Sequence, residues 1–198
     1  MFIKVPVNIS AHHIHLCRKD AENLFGRGYE LHKKVNLMQP GEIACTETLT
    51  IVGPKGHIER VRVLGPYRKK TQVEVSLTEA RILGVKVPIR NSGDLEGSAP
   101  IKLVNPGLGN VVELTEGLIV AQAHLHMSPE DADFHLIKKG QRIKVQLTEG
   151  LRPIVIELVC RPQDGCVLEA HIDTDEANAA SLTALSYGRV LWQEYVHG

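Results

Sequence analysis

The chain has 198 residues, of which 43% are hydrophobic and 23% are charged, the composition of a soluble globular protein. Lys and Arg together number 23, and so do Asp and Glu, so the formal net charge is zero. A neutral chain offers no bulk electrostatic attraction to nucleic acid or to an anionic membrane. No apolar run is long enough to cross a bilayer and no secretory signal opens the chain, so we expect a cytoplasmic protein.

Strands dominate the predicted elements. Short β-branched runs alternate with Gly/Pro turns at spacings of about ten residues, a pattern typical of small barrels or sandwiches rather than of βαβ units. Strands are predicted over residues 7–16, 49–52, 58–64, 72–77, 101–104, 111–114, 117–121, 119–127, 143–147 and 154–159. Short helices are predicted over residues 18–25, 78–83 and 129–134, with a further candidate over residues 181–196.

The cysteines contribute no obvious motif. Without an export signal and without a Cys-x-x-Cys pair, they are interpreted as reduced thiols. Most are expected to be small buried apolar side chains, and nothing in the local sequence marks a catalytic one. They are Cys17, Cys45, Cys160 and Cys166.

One short internal repeat links two parts of the chain. The segment that begins at His13 recurs at His124, with both histidines, an Asp and an Ala identical between the copies. In the second copy Ser128 is a good helix N-cap, and Pro129 suits the first helical position. Each copy therefore predicts a strand that carries His-x-His and runs into a helix, within two related structural units.

The two His-x-His pairs predict metal binding. Side chains two residues apart share one face of a strand, whereas on a helix they would lie about 200° apart. On the predicted strands His13 and His15, and likewise His124 and His126, can each converge on one cation. Zinc favours imidazole ligands and accepts carboxylates. His171, which closes a predicted strand before an acidic segment, is a further candidate.

Two polar segments are candidates for contacts with anions. A basic run that begins at Arg68 could hold phosphate, and Glu74, on the polar face of the strand that follows, could ligate a metal. The alternative interpretation is a solvated basic turn that leads into an edge strand. The loop over residues 90–98, which contains Ser92, could bring backbone amides to a phosphate, but it matches neither a dinucleotide fingerprint nor a P-loop.

Taken together, these motifs resemble the propanediol-utilisation type of phosphate acyltransferase, also called phosphate propanoyltransferase. The resemblance runs from about residue 5 to residue 180, and chance agreement across so many separated motifs is not credible. The motifs cover residues 5–16, 52–56, 62–74, 91–98, 124–127 and 171–179.

The resemblance implies a mainly β protein with short helices, in which two small β-barrels hold a dinuclear zinc site between them. One barrel would combine residues 1–11 with residues 122–198, and the other would contain residues 12–121. Arg68 would bind phosphate as the catalytic arginine, and Ser92 would lie on the phosphate or CoA side of the cleft. The implied ligands of the two zinc ions are His13, His15 and Glu74 for one, and His124, His126 and His171 for the other.

The implied reaction interconverts a short-chain acyl-CoA plus phosphate with an acyl phosphate plus CoA. Propanoyl-CoA is the expected substrate, with acetyl-CoA as the alternative, because one methylene is worth only ~1–3 kcal/mol in a pocket. We expect direct attack of phosphate on the thioester. A route through an acyl-enzyme would need a nucleophile, for which Cys17 beside His15 is the first candidate.

The resemblance also implies partners. The family is commonly a homodimer and often serves bacterial microcompartments that degrade propanediol, so shell or cargo proteins are expected contacts. Microcompartment relatives often carry an N-terminal targeting extension, whereas the first strand here begins almost at Met1. The C-terminal segment over residues 181–198 lies beyond the resemblance and is expected to form a docking helix or an interaction peptide.

Two other functions stay open from the residues alone. The histidine pairs would also suit a dinuclear zinc hydrolase of thioesters or phosphoesters. However, the His-x-His-x-Asp-His motif of metallo-β-lactamases is absent, and the chain is short for a (β/α)8 hydrolase. A metal-binding scaffold without activity would instead have closed coordination.

Overall fold

A computed structural model describes residues 3–182 and 186–191. The strands of this part of the chain are β1 (Lys4–Ser10), β2 (His13–Cys17), β3 (Lys33–Asn36), β4 (Ile43–Val52), β5 (His57–Arg68), β6 (Gln72–Glu74), β7 (Ile89–Arg90), β8 (Ala99–Val104), β9 (Val111–Ala121), β10 (His124–Met127), β11 (Arg142–Leu147), β12 (Ile154–Pro162), β13 (Glu169–Asp173) and β14 (Ser186–Leu191). The helices are α1 (Arg18–Phe25), α2 (Leu77–Leu83), α3 (Pro129–Phe134) and α4 (Thr174–Ala180).

The predicted mainly β fold is confirmed, and the strands close into two six-stranded barrels. One barrel has the order β1-β13-β10-β12-β11-β14. The other has the order β9-β6-β2-β5-β4-β8, and it closes because β8 pairs with both β4 and β9. Strands β3 and β7 extend this second sheet by pairing with β4 and β9.

The two barrels share one strand topology. In each, the His-x-His strand (β2 or β10) pairs in parallel with one neighbour (β5 or β12) and antiparallel with another (β6 or β13). The latter strand then pairs in parallel with β9 in one barrel and with β1 in the other. The barrels correspond to two compact units, residues 11–121 and residues 1–10 with 122–198. The short sequence repeat therefore marks equivalent strands of two like barrels.

Each barrel has its own apolar core, and strand alternation positions the histidines relative to it. Ile14 and Leu16 on β2 are fully buried in one core, and Leu125 on β10 is buried in the other. Burial of such a side chain contributes roughly 1.5–3 kcal/mol. Because successive strand residues point to opposite faces, the same alternation turns the histidines of His-x-His away from the core.

The prediction of single strands over residues 7–16 and 119–127 was wrong. The first is interrupted at residues 11–12, where the chain passes from β1 of one barrel to β2 of the other. The second is interrupted at residues 122–123 in the same way. His12 lies in the first interruption, where its Nδ1 contacts Oε1 of Glu79 at 2.5 Å. The predicted strands over residues 111–114 and 117–121 form one strand, β9.

The predicted strand over residues 72–77 ends early, at Glu74. Ser76 is the N-cap of α2, and its side chain and that of Glu79 form a capping box. The helix therefore takes Leu77 as its first residue. The alternative interpretation of β6 as an edge strand was also wrong, because β6 pairs with β2 on one side and β9 on the other, and its three residues are buried.

The predicted helix over residues 181–196 was wrong for residues 186–191. These form β14, which pairs with β1 and β11 and closes the barrel. Buried Ser186, Gly188 and Val190 alternate with more exposed residues, the pattern of a strand. Residues 183–185 and 192–198 lie outside the described residues. Among the described residues, no helix has the length and hydropathy needed to cross a membrane.

Candidate metal centres

The first group of candidate ligands lies on two neighbouring strands of one barrel. It consists of His13 and His15 on β2 and Glu74 on β6, whose ligand atoms all lie within 4.8 Å of one another. In the antiparallel register His13 is directly opposite Glu74, and His15 is opposite Gln72. Nδ1 of His13 lies 2.9 Å from the carbonyl oxygen of Ala11. Because a carbonyl only accepts, Nδ1 carries the proton, and Nε2 faces Glu74 at 3.4 Å.

Burial and neighbouring charges set the protonation of the first group. Burial lowers the pKa of His13, but the Glu74 carboxylate and the hydrogen bond to the Ala11 carbonyl together raise it above its ordinary value. Burial, with the nearby His13 and Arg68, holds the pKa of His15 well below its ordinary value. Burial raises the pKa of Glu74, but His13, His15 and a hydrogen bond from Ser92 lower it far below the usual range. His15 is therefore a neutral imidazole, and it lies beside the pair formed by the His13 imidazole and the Glu74 carboxylate.

A hydrogen-bond network holds the Glu74 carboxylate in place through its Oε1 atom. Nη1 of Arg68 donates to Oγ of Ser92 at 3.0 Å, and this hydroxyl donates to Oε1 of Glu74 at 2.9 Å. Nε2 of Gln72 donates to the same Oε1 at 2.5 Å and to Ser92 Oγ at 2.9 Å. The backbone N–H of Gly93 donates to Oε1 of Gln72 at 2.8 Å. The structure thus brings Arg68 and Ser92, the two residues predicted to bind substrate, next to the first group.

The second group lies at the equivalent strands of the other barrel. It consists of His124 and His126 on β10 and His171 on β13, and its ring centroids lie 4.7–5.1 Å apart. His124 is directly opposite His171 in the register. Nδ1 of His124 donates to the carbonyl oxygen of Gln122 at 2.8 Å, as His13 does to the carbonyl two residues before it. Nε2 of His124 then faces Nε2 of His126 at 3.0 Å.

The imidazoles of His124 and His126 are held neutral. Burial, with the nearby His171 and Arg161, lowers the pKa of His124 to about 3. The same causes in the same order lower the pKa of His126 to about 4. Metal binding requires the neutral imidazole, so neither His124 nor His126 has to lose a proton before a cation binds at neutral pH.

Both groups fit a zinc ion by their donor chemistry. The first offers two nitrogens and a carboxylate oxygen, and the second offers three nitrogens, which are the ligand types zinc prefers. In the second group Nε2 of His171 makes no hydrogen bond within the described chain, and two further imidazole nitrogens face each other at 3.0 Å. A cation would satisfy these nitrogens together. Three protein ligands leave a fourth position open, as in catalytic zinc sites.

The sequence prediction missed several residues at these groups. Oε2 of Glu169 lies 2.9 Å from Nε2 of His171, and Sγ of Cys166 lies 3.8 Å from Nδ1 of His126. Glu169 carried a usable signal, because it precedes His171 by two residues on a predicted strand and so shares its face. Cys166 lies in the connection between β12 and β13 and carried none.

Cys17, the candidate nucleophile, has a local structural role. It is the N-cap residue of α1, and its backbone N–H donates to Oγ1 of Thr71 at 3.0 Å. That hydroxyl donates in turn to Asp20 at 2.6 Å. All four cysteines are free thiols in the structure.

Comparison with known proteins gives one consistent result. The family model described as phosphate propanoyltransferase matches residues 6–183. A curated relative of that name from Thermotoga maritima is 49% identical, with 90% of this chain and 84% of the relative aligned. One from Priestia megaterium is 52% identical over 90% of this chain and 82% of the relative. One from Lachnoclostridium phytofermentans is 50% identical over 90% and 83%.

Proposed function

The chain belongs to the phosphate propanoyltransferase family, and from that premise we propose that it is a zinc-dependent phosphate acyltransferase with short-chain acyl-CoA as its substrate. An oxygen of phosphate bonds to the thioester carbonyl carbon, the carbon–sulfur bond breaks, and CoA leaves as its thiolate. The products are the acyl phosphate and CoA. We propose propanoyl-CoA as the main acyl donor and acetyl-CoA as a second one.

One observation carries the proposal of zinc. Both barrels present a His-x-His pair and, directly opposite its first histidine, a third ligand from the neighbouring strand. In both barrels the first histidine also donates its Nδ1 proton to the carbonyl two residues earlier, which directs Nε2 to the group. Such outer hydrogen bonds orient imidazoles that bind metals. When bound, zinc would supply positive charge for phosphate, the carbonyl oxygen and the departing thiolate.

The protein's own residues would position the phosphate. The Arg68 guanidinium is held by Ser92 and lies 3.9 Å from Oε1 of Glu42, while remaining partly exposed to an incoming anion. Guanidinium matches phosphate through paired N–H donors, so Arg68 would bind phosphate and offset its charge. Ser92 would hold Arg68 and Glu74 in fixed relation, because its hydroxyl accepts from one and donates to the other.

We propose direct transfer rather than an acyl-enzyme. In favour of direct transfer, Ser92 links Arg68, a cation suited to phosphate, to Glu74 of the first group. Phosphate bound by Arg68 would therefore lie beside the first candidate metal site. A homodimer and a place in a bacterial microcompartment remain further parts of the proposal, tested by sedimentation of the full chain and by co-purification with shell proteins.

The deciding experiment follows CoA release from propanoyl-CoA by zinc-loaded protein, with and without phosphate. The proposal predicts release only when phosphate is present, with acyl phosphate formed in equal amount. Release that is independent of phosphate would instead show a thioester hydrolase. No turnover by zinc-loaded protein would indicate a metal-binding scaffold. Acetyl-CoA in parallel measures acyl preference, for which one methylene allows about a 10–200-fold difference.

A further inference from the structure

We propose that Glu169 is a positioning residue of the second group: its carboxylate supplies negative charge beside the three histidines and raises their affinity for zinc. The proposal rests on the proposed function, since it presumes that the second group binds a divalent cation. It extends that function to a side chain outside both predicted ligand sets.

The first support is the contact and burial of Glu169. Its Oε2 lies 2.9 Å from Nε2 of His171, and its side chain is only 1% exposed. A buried carboxylate is costly unless positive charge or hydrogen bonds compensate it. In the register of β10 and β13, Glu169 is directly opposite His126. Since it also shares a strand face with His171, its carboxylate lies on the face that carries the whole group.

The second support is the direction of the contact. Nε2 of His171 makes no hydrogen bond within the described chain, even though Oε2 of Glu169 is 2.9 Å away. The carboxylate oxygen therefore lies beside the ring nitrogen rather than on the axis of its proton or lone pair. This arrangement leaves the nitrogen available to a cation and places a negative charge next to that cation.

The third support comes from the equivalent position in the other barrel. The residue opposite the second histidine is Gln72 in the first group and Glu169 in the second. The residue opposite the first histidine is Glu74 in one case and His171 in the other. Each group therefore has one carboxylate on this strand, opposite the first histidine in one barrel and opposite the second histidine in the other.

The fourth support is the positive charge that the second group must tolerate. Arg161 on β12 is directly opposite His126 in the parallel register. A cation in the second group would be repelled by the positive charge of this arginine. The Glu169 carboxylate would offset that repulsion, as Glu74, joined through Ser92 to Arg68, would in the first group.

The test measures zinc affinity by competition with a chromophoric chelator on the full chain. His13→Ala is the parent, so that the measured site is the second group. Adding Glu169→Gln, which keeps size and hydrogen bonding but removes charge, should weaken this affinity about 10–100-fold. Glu157→Gln is the matched control, because this glutamate is in the same barrel but exposed and paired with Arg142. It should leave the affinity unchanged.

A second variant and a spectrum keep the test decisive. Glu169→Asp retains the charge, so it should bind zinc more tightly than Glu169→Gln when both are compared per folded molecule by circular dichroism. Cobalt(II) in the parent should show a ligand-field spectrum that Glu169→Gln changes. Equal zinc affinity of the Glu169→Gln variant and its parent would overturn the inference. If the parent itself bound no more zinc than a His13→Ala/His124→Ala chain, the proposed function would fail instead.

Discussion

The two barrels have the same strand order and the same His-x-His strand, yet their candidate metal groups differ in charge. The first group pairs its histidines with Glu74, and the second pairs them with His171. In both, the third ligand is the residue directly opposite the first histidine. Topology and register therefore decide where a ligand lies, whereas the side chain at that position decides which chemistry the group can perform.

The residues around the two candidate metal groups also differ in charge and in hydrogen bonding. The first group is joined through Ser92 to Arg68, a partly exposed cation suited to phosphate. The second group has Glu169 in contact with His171 and Arg161 opposite His126. We propose that the metal site of the first group binds phosphate together with Arg68. The second group would hold its zinc ion mainly through imidazole nitrogens.

The largest expected effect separates the two groups by metal content. His13→Ala and His124→Ala should each lose one zinc per chain, measured by elemental analysis, and lower turnover on the order of 10²-fold or more. His57→Ala is the control, because His57 is 59% exposed and lies at the start of β5, where it pairs with Val52 on β4. Two zinc ions retained by His124→Ala would refute its role as a ligand.

The next prediction concerns Arg68, which is joined to the first group through Ser92. Arg68→Lys keeps the charge but loses the paired N–H donors and the geometry of the bond to Ser92. A charge-assisted hydrogen bond is worth about 1.5–3 kcal/mol, so the phosphate KM should rise roughly 10–100-fold. The KM for propanoyl-CoA should change little. Arg142→Lys, in an exposed pair with Glu157, is the control. An equal rise in both KM values would contradict the assignment to phosphate.

A third prediction compares α2 and α4, the helices that follow β6 and β13. These two strands carry Glu74 and His171. Both α2 and α4 begin with a capping box, but the N-cap is Ser76 in one and Asp173 in the other. Burial first, and then the carboxylates of Asp173 and Asp175, raise the pKa of Glu176 to about 7, against the lowering effect of the hydrogen bond from the Asp173 backbone N–H. The α4 cap is therefore expected to depend on pH.

The raised pKa of Glu176 determines how the stability of the folded chain changes with pH. A carboxyl group whose pKa is raised in the folded state adds stability below its unfolded value of 4.5, and this stability is lost as pH rises towards 7. Glu176→Gln, which still accepts the capping bond, should flatten the decline, by about 1–3 kcal/mol across this range. Thermal unfolding of chelator-stripped protein measures it, with Glu157→Gln as control. Parallel curves for Glu176→Gln and the unsubstituted chain would show that Glu176 does not titrate there.

The smallest effect compares the helices that follow the His-x-His strands. Ser128 caps α3 by accepting the N–H of Asp131 at 3.0 Å, whereas the α1 N-cap, Cys17, makes no side-chain capping bond. Ser128→Ala should cost about 1 kcal/mol in urea unfolding, and Cys17→Ala only a few tenths. Cys17→Ala should also keep its turnover. A complete loss of turnover in a folded Cys17→Ala variant would indicate an acyl-enzyme.

The sequence predicted local features of the site better than features that depend on strand pairing. The His-x-His pairs follow from the two-residue period of a strand, so His13 and His15 could be grouped from the chain alone. Their joining to Glu74 depends on the register between β2 and β6, which no local pattern states; the family resemblance supplied it. The contact of Glu169 with His171 was missed, although the same two-residue spacing indicates a shared face.

The errors in the fold have related physical causes. The alternation of apolar residues continues from Ile119 to Met127, so the interruption at residues 122–123 leaves no break in the sequence pattern. At residues 11–12 the alternation does change phase, between Ile9 and Ile14, and the prediction did not use that signal. In β14 two of the buried positions are Ser186 and Gly188, which carry little hydrophobic signal. The strand therefore reads as polar and irregular, and the apolar residues around it at helical spacing dominated the prediction.

Restoring zinc to stripped protein decides whether phosphate acyl transfer needs zinc in both groups. Zinc is removed with a chelator and returned in increments, while phosphate-dependent CoA release from propanoyl-CoA is followed. We expect no turnover without metal and full turnover at two zinc ions per chain. Full turnover by protein shown to be metal-free would contradict it.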